Sequence, residues 1–254
     1  MKKLIPFLLN LFPRPLLIRL SYIFMRFSAL LLKGDNVECP VCEGRFKRFL
    51  PYGYHNIREN VLCPKCLSLE RHRLLWLYLK EKTGFFHEEL KVLHVAPEQC
   101  FFKKFRKQKN LDYITADLES PLADIKMDIQ SIPLNDNEFD AVICNHVLEH
   151  VKDDQKALRE IYRILKPGGL AILQVPMDMN MTSTYEDDSI TSPKEREKHF
   201  RQKDHYRLYG ADYPDRIKTV GFKSDEKNYL DEIDPVMKER YRLPENEYML
   251  GFYK

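Results

Sequence analysis

Cys39, Cys42, Cys63 and Cys66 form two Cys-x-x-Cys pairs, "CPVC" and "CPKC", with twenty residues between them. A proline after each first cysteine favours a tight turn, and two such turns can set four thiolates at the corners of a tetrahedron. That arrangement suits structural Zn²⁺. The intervening "EGRFKRFLPYGYHNIRENVL" carries aromatic and apolar residues around Gly53 and fits a short hairpin, so the segment reads as a zinc ribbon. Glu43 and Leu67 stand where glycine often follows the second cysteine. Two disulfides or a dithiol redox pair are the rival readings, and disulfides would require an oxidising compartment. A catalytic zinc needs an open position, which four cysteines do not leave. His55 and His72 are substitute ligands in a further variant. Cys100 and Cys144 read as small buried residues.

A second group able to do chemistry is His146, His150 and His205, each with an ordinary pKa near the working range of a general base. The elements that must position these side chains follow from periodicity. "SLERHRLLWLYLKEKTG" predicts a helix capped by Ser68 and ended by Gly84. "KVLHVAPEQCFFKKF", residues 91–105, looks like the first strand and helix of a nucleotide-binding α/β unit, yet its turn, Ala96-Pro97-Glu98, has no glycine. Further strands are predicted at 113–117, 126–128, 139–144 and 170–175, with a helix over 153–165, a stop at "KPGG" and a last strand in "EYMLGFYK". Near-continuous apolar strands such as "FDAVIC" suit a parallel sheet buried on both faces. The fold class is therefore α/β, a Rossmann-like, doubly wound, mostly parallel sheet with a small N-terminal zinc ribbon.

The chain has 254 residues, 44% hydrophobic and 31% charged, with a net charge of +3. Residues 1–38 hold a net +4 and the remainder a net −1, so the body lacks the positive balance of a nucleic-acid binder. Residues 1–34 form an apolar basic leader. Pro6, Pro13 and Pro15 break its first half, and Arg14, Arg19 and Arg26 interrupt every apolar run long enough to span a bilayer. It begins like a secretory signal but has no small-residue cleavage site. From Pro15 to Lys33 the pattern is helical, and Arg19, Arg26 and Lys33 fall on one stripe. Such a helix lies in a membrane interface or docks on its own domain or a second subunit.

The run "FDAVICNHVLEHVKDDQKALREIYRILKPGGLAILQVP", residues 139–176, closely resembles the type 11 branch of the class I S-adenosylmethionine-dependent methyltransferases. The likeness is good over about 90–176. The ribbon, "HVAPE", "TADLE" and "DHYRLYG" together are similar to a bacterial methyltransferase arrangement without an assigned substrate. The resemblance implies that "HVAPE" (His94, Ala96, Glu98) lies beneath the methionine part of the cofactor, where the family usually keeps glycines. It implies that Asp117, followed by Leu118, takes the ribose hydroxyls, and that Asp128 and Ile129 flank the adenine. It also implies that Asn145 lies near the cofactor and His146 faces the substrate. His205, with Arg207 and Tyr209, falls where this class inserts substrate-binding segments. Residues 177–204 suggest a lid, with Tyr185 and Glu186 as its substrate contacts, while "PKEREKHFRQKD" reads as a solvated helix face.

The expected organisation is a leader over 1–34, a ribbon over 35–68 and a methyltransferase domain over 69–254 with a lid at about 177–210. The expected function is S-adenosylmethionine-dependent methyl transfer, by His146 and His205, to a small-molecule or membrane-linked metabolite. The site of action would be cytoplasmic, with peripheral contact at the inner membrane face. Two alternatives stand beside it: an RNA or protein methyltransferase gripping its substrate with the ribbon, and a scaffold that has lost the cofactor.

Overall fold

The structure is a computed structural model that describes residues 27–53, 57–120 and 123–254. These fall into two compact units. One comprises residues up to Leu77 together with Ile233–Glu245; the other comprises Tyr78–Glu232 with Asn246–Lys254. Pro15, Arg14, Arg19, Arg26 and His55 lie outside the described residues. Among the described residues no helix is long and apolar enough to cross a membrane.

In the first unit, residues 27–31 are helical and give way to β1 (Lys33–Cys39), paired antiparallel with β2 (Gly44–Phe46). The leader helix expected to reach Lys33 thus ends earlier. Lys33 faces Phe46 in the ladder and the Lys47 N–H donates to the Leu32 carbonyl, so the hairpin claims the chain. β3 (Leu50–Tyr52) and β4 (Arg58–Leu62) form the second hairpin, on either side of Gly53 as predicted. Helix Glu70–Glu81 follows.

Arg73, on that helix, is fully buried. Its guanidinium donates to the carbonyls of Val61, Ser68, Tyr241 and Arg242 at 2.6–2.9 Å and lies 4.5 Å over the Phe49 ring. Burial lowers its pKa, and the four carbonyls satisfy a cation that would otherwise be costly inside the protein. They also explain how residues 233–245, distant in sequence, join the N-terminal unit. Arg240 does the same from helix Pro235–Tyr241 by pairing with Asp35 and Glu38.

In the second unit, β5 (Leu90–Val95), β6 (Leu111–Asp117), β7 (Ile125–Lys126), β8 (Phe139–Cys144) and β9 (Leu165–Ile172) form a parallel sheet. After the short hairpin of β10 (Tyr185–Glu186) and β11 (Arg207–Leu208), β12 (Lys223–Ser224) and β13 (Phe252–Tyr253) complete it. The order is β12-β13-β9-β8-β5-β6-β7, seven strands in which β13 alone runs antiparallel to its neighbours. Helix Asp154–Ile164 buries Ala157, Leu158, Ile161 and Ile164 against this sheet. "KPGG" does not separate helix from strand. Leu165 is already extended and paired with Phe139, and the four residues form a bulge before Leu170 meets Ala141. Gly168, at φ 78°, supplies the left-handed turn that this bulge needs.

Candidate functional site

The first site is the cysteine cluster. The Glu43 N–H donates to the Cys39 carbonyl and the Leu67 N–H to the Cys63 carbonyl, closing two equivalent knuckles. Glu43 (φ 56°) and Leu67 (φ 60°) occupy the left-handed conformation that glycine usually takes after a knuckle, so the geometry survives without it. Cys39 Sγ lies 3.6 Å from Cys66 Sγ, and Cys42 Sγ lies 3.6 Å from Cys63 Sγ. All four sulfurs lie within 4.8 Å of one another. Tetrahedral zinc with bonds near 2.3 Å needs sulfur separations of about 3.8 Å, so this donor set fits the ion.

Ser68 is not the helix cap that its position suggests. Its hydroxyl sits 3.1 Å from Cys39 Sγ and 3.2 Å from Cys66 Sγ, beside the ligands. The helix entry is served by His72, whose Nδ1 accepts the Leu69 N–H. His72 stands outside the four-sulfur cluster. Cys100 and Cys144 are buried, as read from the sequence.

The second site lies at the carboxyl ends of β5, β6 and β8, where open parallel sheets receive ligands. The register sets His94 beside Thr115 and Ile143, and Val95 beside Ala116 and Cys144. Just beyond the ends of β5 and β8, Ala96 (φ 48°) and His146 (φ 54°) both adopt the left-handed conformation. Each such residue costs about 1–2 kcal/mol, and strain of this kind gathers where function fixes a backbone. The Ala96 N–H donates to the Ala116 carbonyl and the His146 N–H to the Gln174 carbonyl, holding both turns in place.

Glu98 is the centre of a hydrogen-bonded group at these strand ends. Its Oε2 lies 2.6 Å from His94 Nε2, and its Oε1 accepts from Asn145 Nδ2 at 3.1 Å. Asn145 Oδ1 accepts the Gln174 N–H. His94 is completely buried, and its other ring nitrogen is 2.8 Å from the Tyr113 hydroxyl. The expectation that His94 touches a cofactor is therefore corrected. A central strand buried on both faces leaves it no open side, and it orients Glu98 instead.

Asp117 ends β6. Its Oδ1 accepts the N–H groups of Glu119 and Ser120, while among the described residues its Oδ2 takes no hydrogen bond. Leu118 beside it is exposed. Asp128 is also exposed and caps the Gln130 N–H, whereas Ile129 belongs to the hydrophobic core.

Arg207 and Tyr209, expected to face substrate, are corrected too. Arg207 is 3% exposed and gives its guanidinium to the carbonyls of Leu148, Val151 and Lys152 and to Glu186. The Tyr209 hydroxyl donates to the buried Asp154. Asp154, 1% exposed, also receives Arg216 at 2.7 and 2.8 Å. These residues tie the segment after β9 to the turn after β8. Tyr185 remains partly exposed, 3.3 Å from His199 Nδ1.

His146, Glu149, His150 and His205 come together around that turn. His146 Nδ1 is 3.5 Å from Glu149 Oε1, and the rings of His150 and His205 meet edge-on at 4.7 Å. Desolvation lowers the His205 pKa, against the pull of Glu149. Sequence reasoning passed over Glu149, although "HVLEH" places it three residues after His146; it also missed Tyr113 and Gln174, for which only tertiary contacts give a signal.

The strand order, with one antiparallel strand beside the last parallel one, is the class I methyltransferase fold. Residues 83–173, all within the second unit, match the family described as a methyltransferase domain. A 2-phytyl-1,4-naphtoquinone methyltransferase of Nostoc punctiforme is 38% identical over 52 residues, which are 20% of this chain and 23% of the relative. A ubiquinone/menaquinone biosynthesis C-methyltransferase, UbiE, of Klebsiella pneumoniae is 31% identical over 123 residues, covering 46% and 45%. The chain thus spans less than half the length of the curated relatives it matches. A SAM dependent methyltransferase structure from Aquifex aeolicus shares 16% identity at a TM-score of 0.44, over 70% of this chain and 87% of that one.

Proposed function

We propose that the protein transfers a methyl group from S-adenosylmethionine to a small-molecule or membrane-linked metabolite, and that the four cysteines hold a structural zinc. The observation that carries the reading is the convergence of Ala96, Asp117 and His146 at the ends of three adjacent strands in a methyltransferase sheet. Asp117, with one oxygen spent on its own turn and the other unengaged among the described residues, suits a ribose diol; a carboxylate accepts such hydroxyls well. Glu98 keeps lone pairs for an ammonium group after its bonds to His94 and Asn145. Ala96 replaces the usual glycine by adopting its backbone angle, and Ile129 is the residue to flank the adenine in this reading. Asp128 and Leu118 stand at the same edge.

Methyl transfer is an in-line displacement, so alignment and exclusion of water can supply most of the rate. For a hydroxyl acceptor, His146 is the group to take the proton; its Nε2 is buried and unpartnered among the described residues. His205 stands against His150 in the group beside His146, and Tyr185 and the segment over 177–210 act as the lid in this reading. The relatives' names support a quinone-like ring as the acceptor class. Calorimetry with S-adenosylmethionine tests the cofactor site. Micromolar binding is expected, weakened about a hundredfold in Asp117→Ala by the loss of two charge-assisted hydrogen bonds. Equal affinity in both proteins would remove Asp117 from the site.

Peripheral contact with the membrane belongs to the same reading. Phe27, Leu30 and Leu31 are exposed side by side near the leader. Anionic vesicles are expected to co-sediment the full chain, and Leu30→Asp with Leu31→Asp to weaken this. Retention in the supernatant at low salt would argue for a leader that docks on protein.

A further inference from the structure

The geometry points to a second metal site in the methyltransferase unit, formed by Glu149, His150 and His205 and taking one divalent first-row transition ion. One donor atom from each of the three lies within 4.8 Å of the others. Glu149 is 2% exposed and His205 4% exposed, and among the described residues Glu149 Oε2 and His205 Nε2 are buried with no hydrogen-bond partner. A buried carboxylate oxygen or imidazole nitrogen left without a partner is costly, and two of the three residues in this cluster carry one. A cation satisfies both. Two imidazoles and a carboxylate form the ligand set that binds Zn²⁺ in open sites and suits Mn²⁺ and Fe²⁺ as well.

The surroundings are built to hold such a set. His150 Nδ1 lies 3.1 Å from Asp204 Oδ2, a carboxylate that orients the ring and leaves its other nitrogen for an ion. Arg207 clamps the turn that carries Glu149 and His150 by taking three of its carbonyls. The Tyr206 N–H donates to the Glu149 carbonyl, which pins His205 against that turn. His146 borders the cluster through Glu149. The ion would therefore sit where an acceptor reaches the proposed base, and would favour acceptors that carry an oxygen donor. That role rests on the methyl-transfer reading; the site itself does not.

Mn²⁺ tests the site, because it avoids all-thiolate sets and its free form gives a six-line paramagnetic resonance signal. The full, zinc-loaded chain is titrated with Mn²⁺ alone. One equivalent is expected to bind per chain at micromolar concentration. His150→Gln, at a half-exposed position where folding is not at stake, and His205→Gln should each weaken binding more than about tenfold. Cys42→Ser should retain it. Millimolar Mn²⁺ binding that is the same in wild type and His150→Gln would overturn the site. S-adenosylmethionine titrated into the same samples separates the two ideas. Cofactor binding without Mn²⁺ binding removes the metal site alone, and Mn²⁺ binding without cofactor binding removes the methyl-transfer reading while the metal site stands.

Discussion

Cys63→Ser is expected to release one tightly held zinc and to unfold the N-terminal unit. Structural zinc contributes about 10–16 kcal/mol of apparent binding energy in small metal-dependent domains, more than the whole stability of a typical one. The unit has little to set against that loss. β2 and β3 are three residues each, and Val37, Val41, Phe46, Phe49, Val61 and Leu69 are most of what its hairpins bury. Without the ion, four sulfur atoms would face one another with only Ser68 between them, and Arg73 would lose the negative cluster to which its charge responds. Trp76, the single tryptophan, sits on the helix of this unit and reports its state. A strong thiol-reactive chelator should shift its fluorescence in the wild type as the substitution does. If the emission and its thermal transition stay where they were after zinc is gone, the ribbon does not depend on metal.

Asp154→Ala should destabilise the second unit by about 3–5 kcal/mol, the cost of breaking a buried ion pair by removing one partner. For a unit of this size that corresponds to a fall in Tm of about 10 °C or more. Asp154 receives Arg216 through two hydrogen bonds and the Tyr209 hydroxyl through a third, with Arg207 3.7 Å away. The neighbouring Asp153 provides the control. It caps the helix by accepting the Lys156 N–H, so Asp153→Ala should cost only about 1 kcal/mol. Similar losses in the two variants would show that the buried network contributes no more than a cap.

The pH dependence follows from the same pair. Burial raises the Asp154 pKa, but Arg216, Arg207 and Tyr209 together outweigh it and the net shift is downward. A carboxyl whose folded pKa lies below its unfolded value contributes stability that is complete above the unfolded value, about pH 4. That contribution disappears as the pH falls through the folded value. The wild type should therefore lose stability over this acid range, and Asp154→Asn should flatten that limb of the curve.

Much of the fold was legible because its signals are local. "FDAVIC" predicts a buried strand over 139–144, and β8 has those bounds. Ala157, Leu158, Ile161 and Leu165 recur at helical spacing before "KPGG", and all four are buried. The knuckles follow from cysteine spacing, which constrains four sulfurs whatever surrounds them. Asp117 was legible as the residue that ends a strand. Less legible were side chains whose partners are remote in sequence. "DHYRLYG" looks polar enough for a substrate contact, but Arg207 is committed to carbonyls more than fifty residues earlier. His94 reads as a strand residue approaching a turn, and nothing local tells that both its nitrogens are already taken.

The sequence by itself determined the order of strands and helices, the metal-ligand spacing of the cysteines and the methyltransferase character of the central segment. The first two rest on periodicity or spacing within a few dozen residues, and the third on the family resemblance carried by residues 139–176. Only the tertiary structure decided which polar groups meet. It drew residues 233–245 to the N-terminal unit through Arg73, turned Ser68 from a helix cap to a neighbour of the cysteine ligands, and gathered Glu149, His150 and His205 at one corner. The physical reason is burial. A charged or hydrogen-bonding group inside a protein must find a partner, and the chain's path through space, more than its local pattern, determines which partner is near.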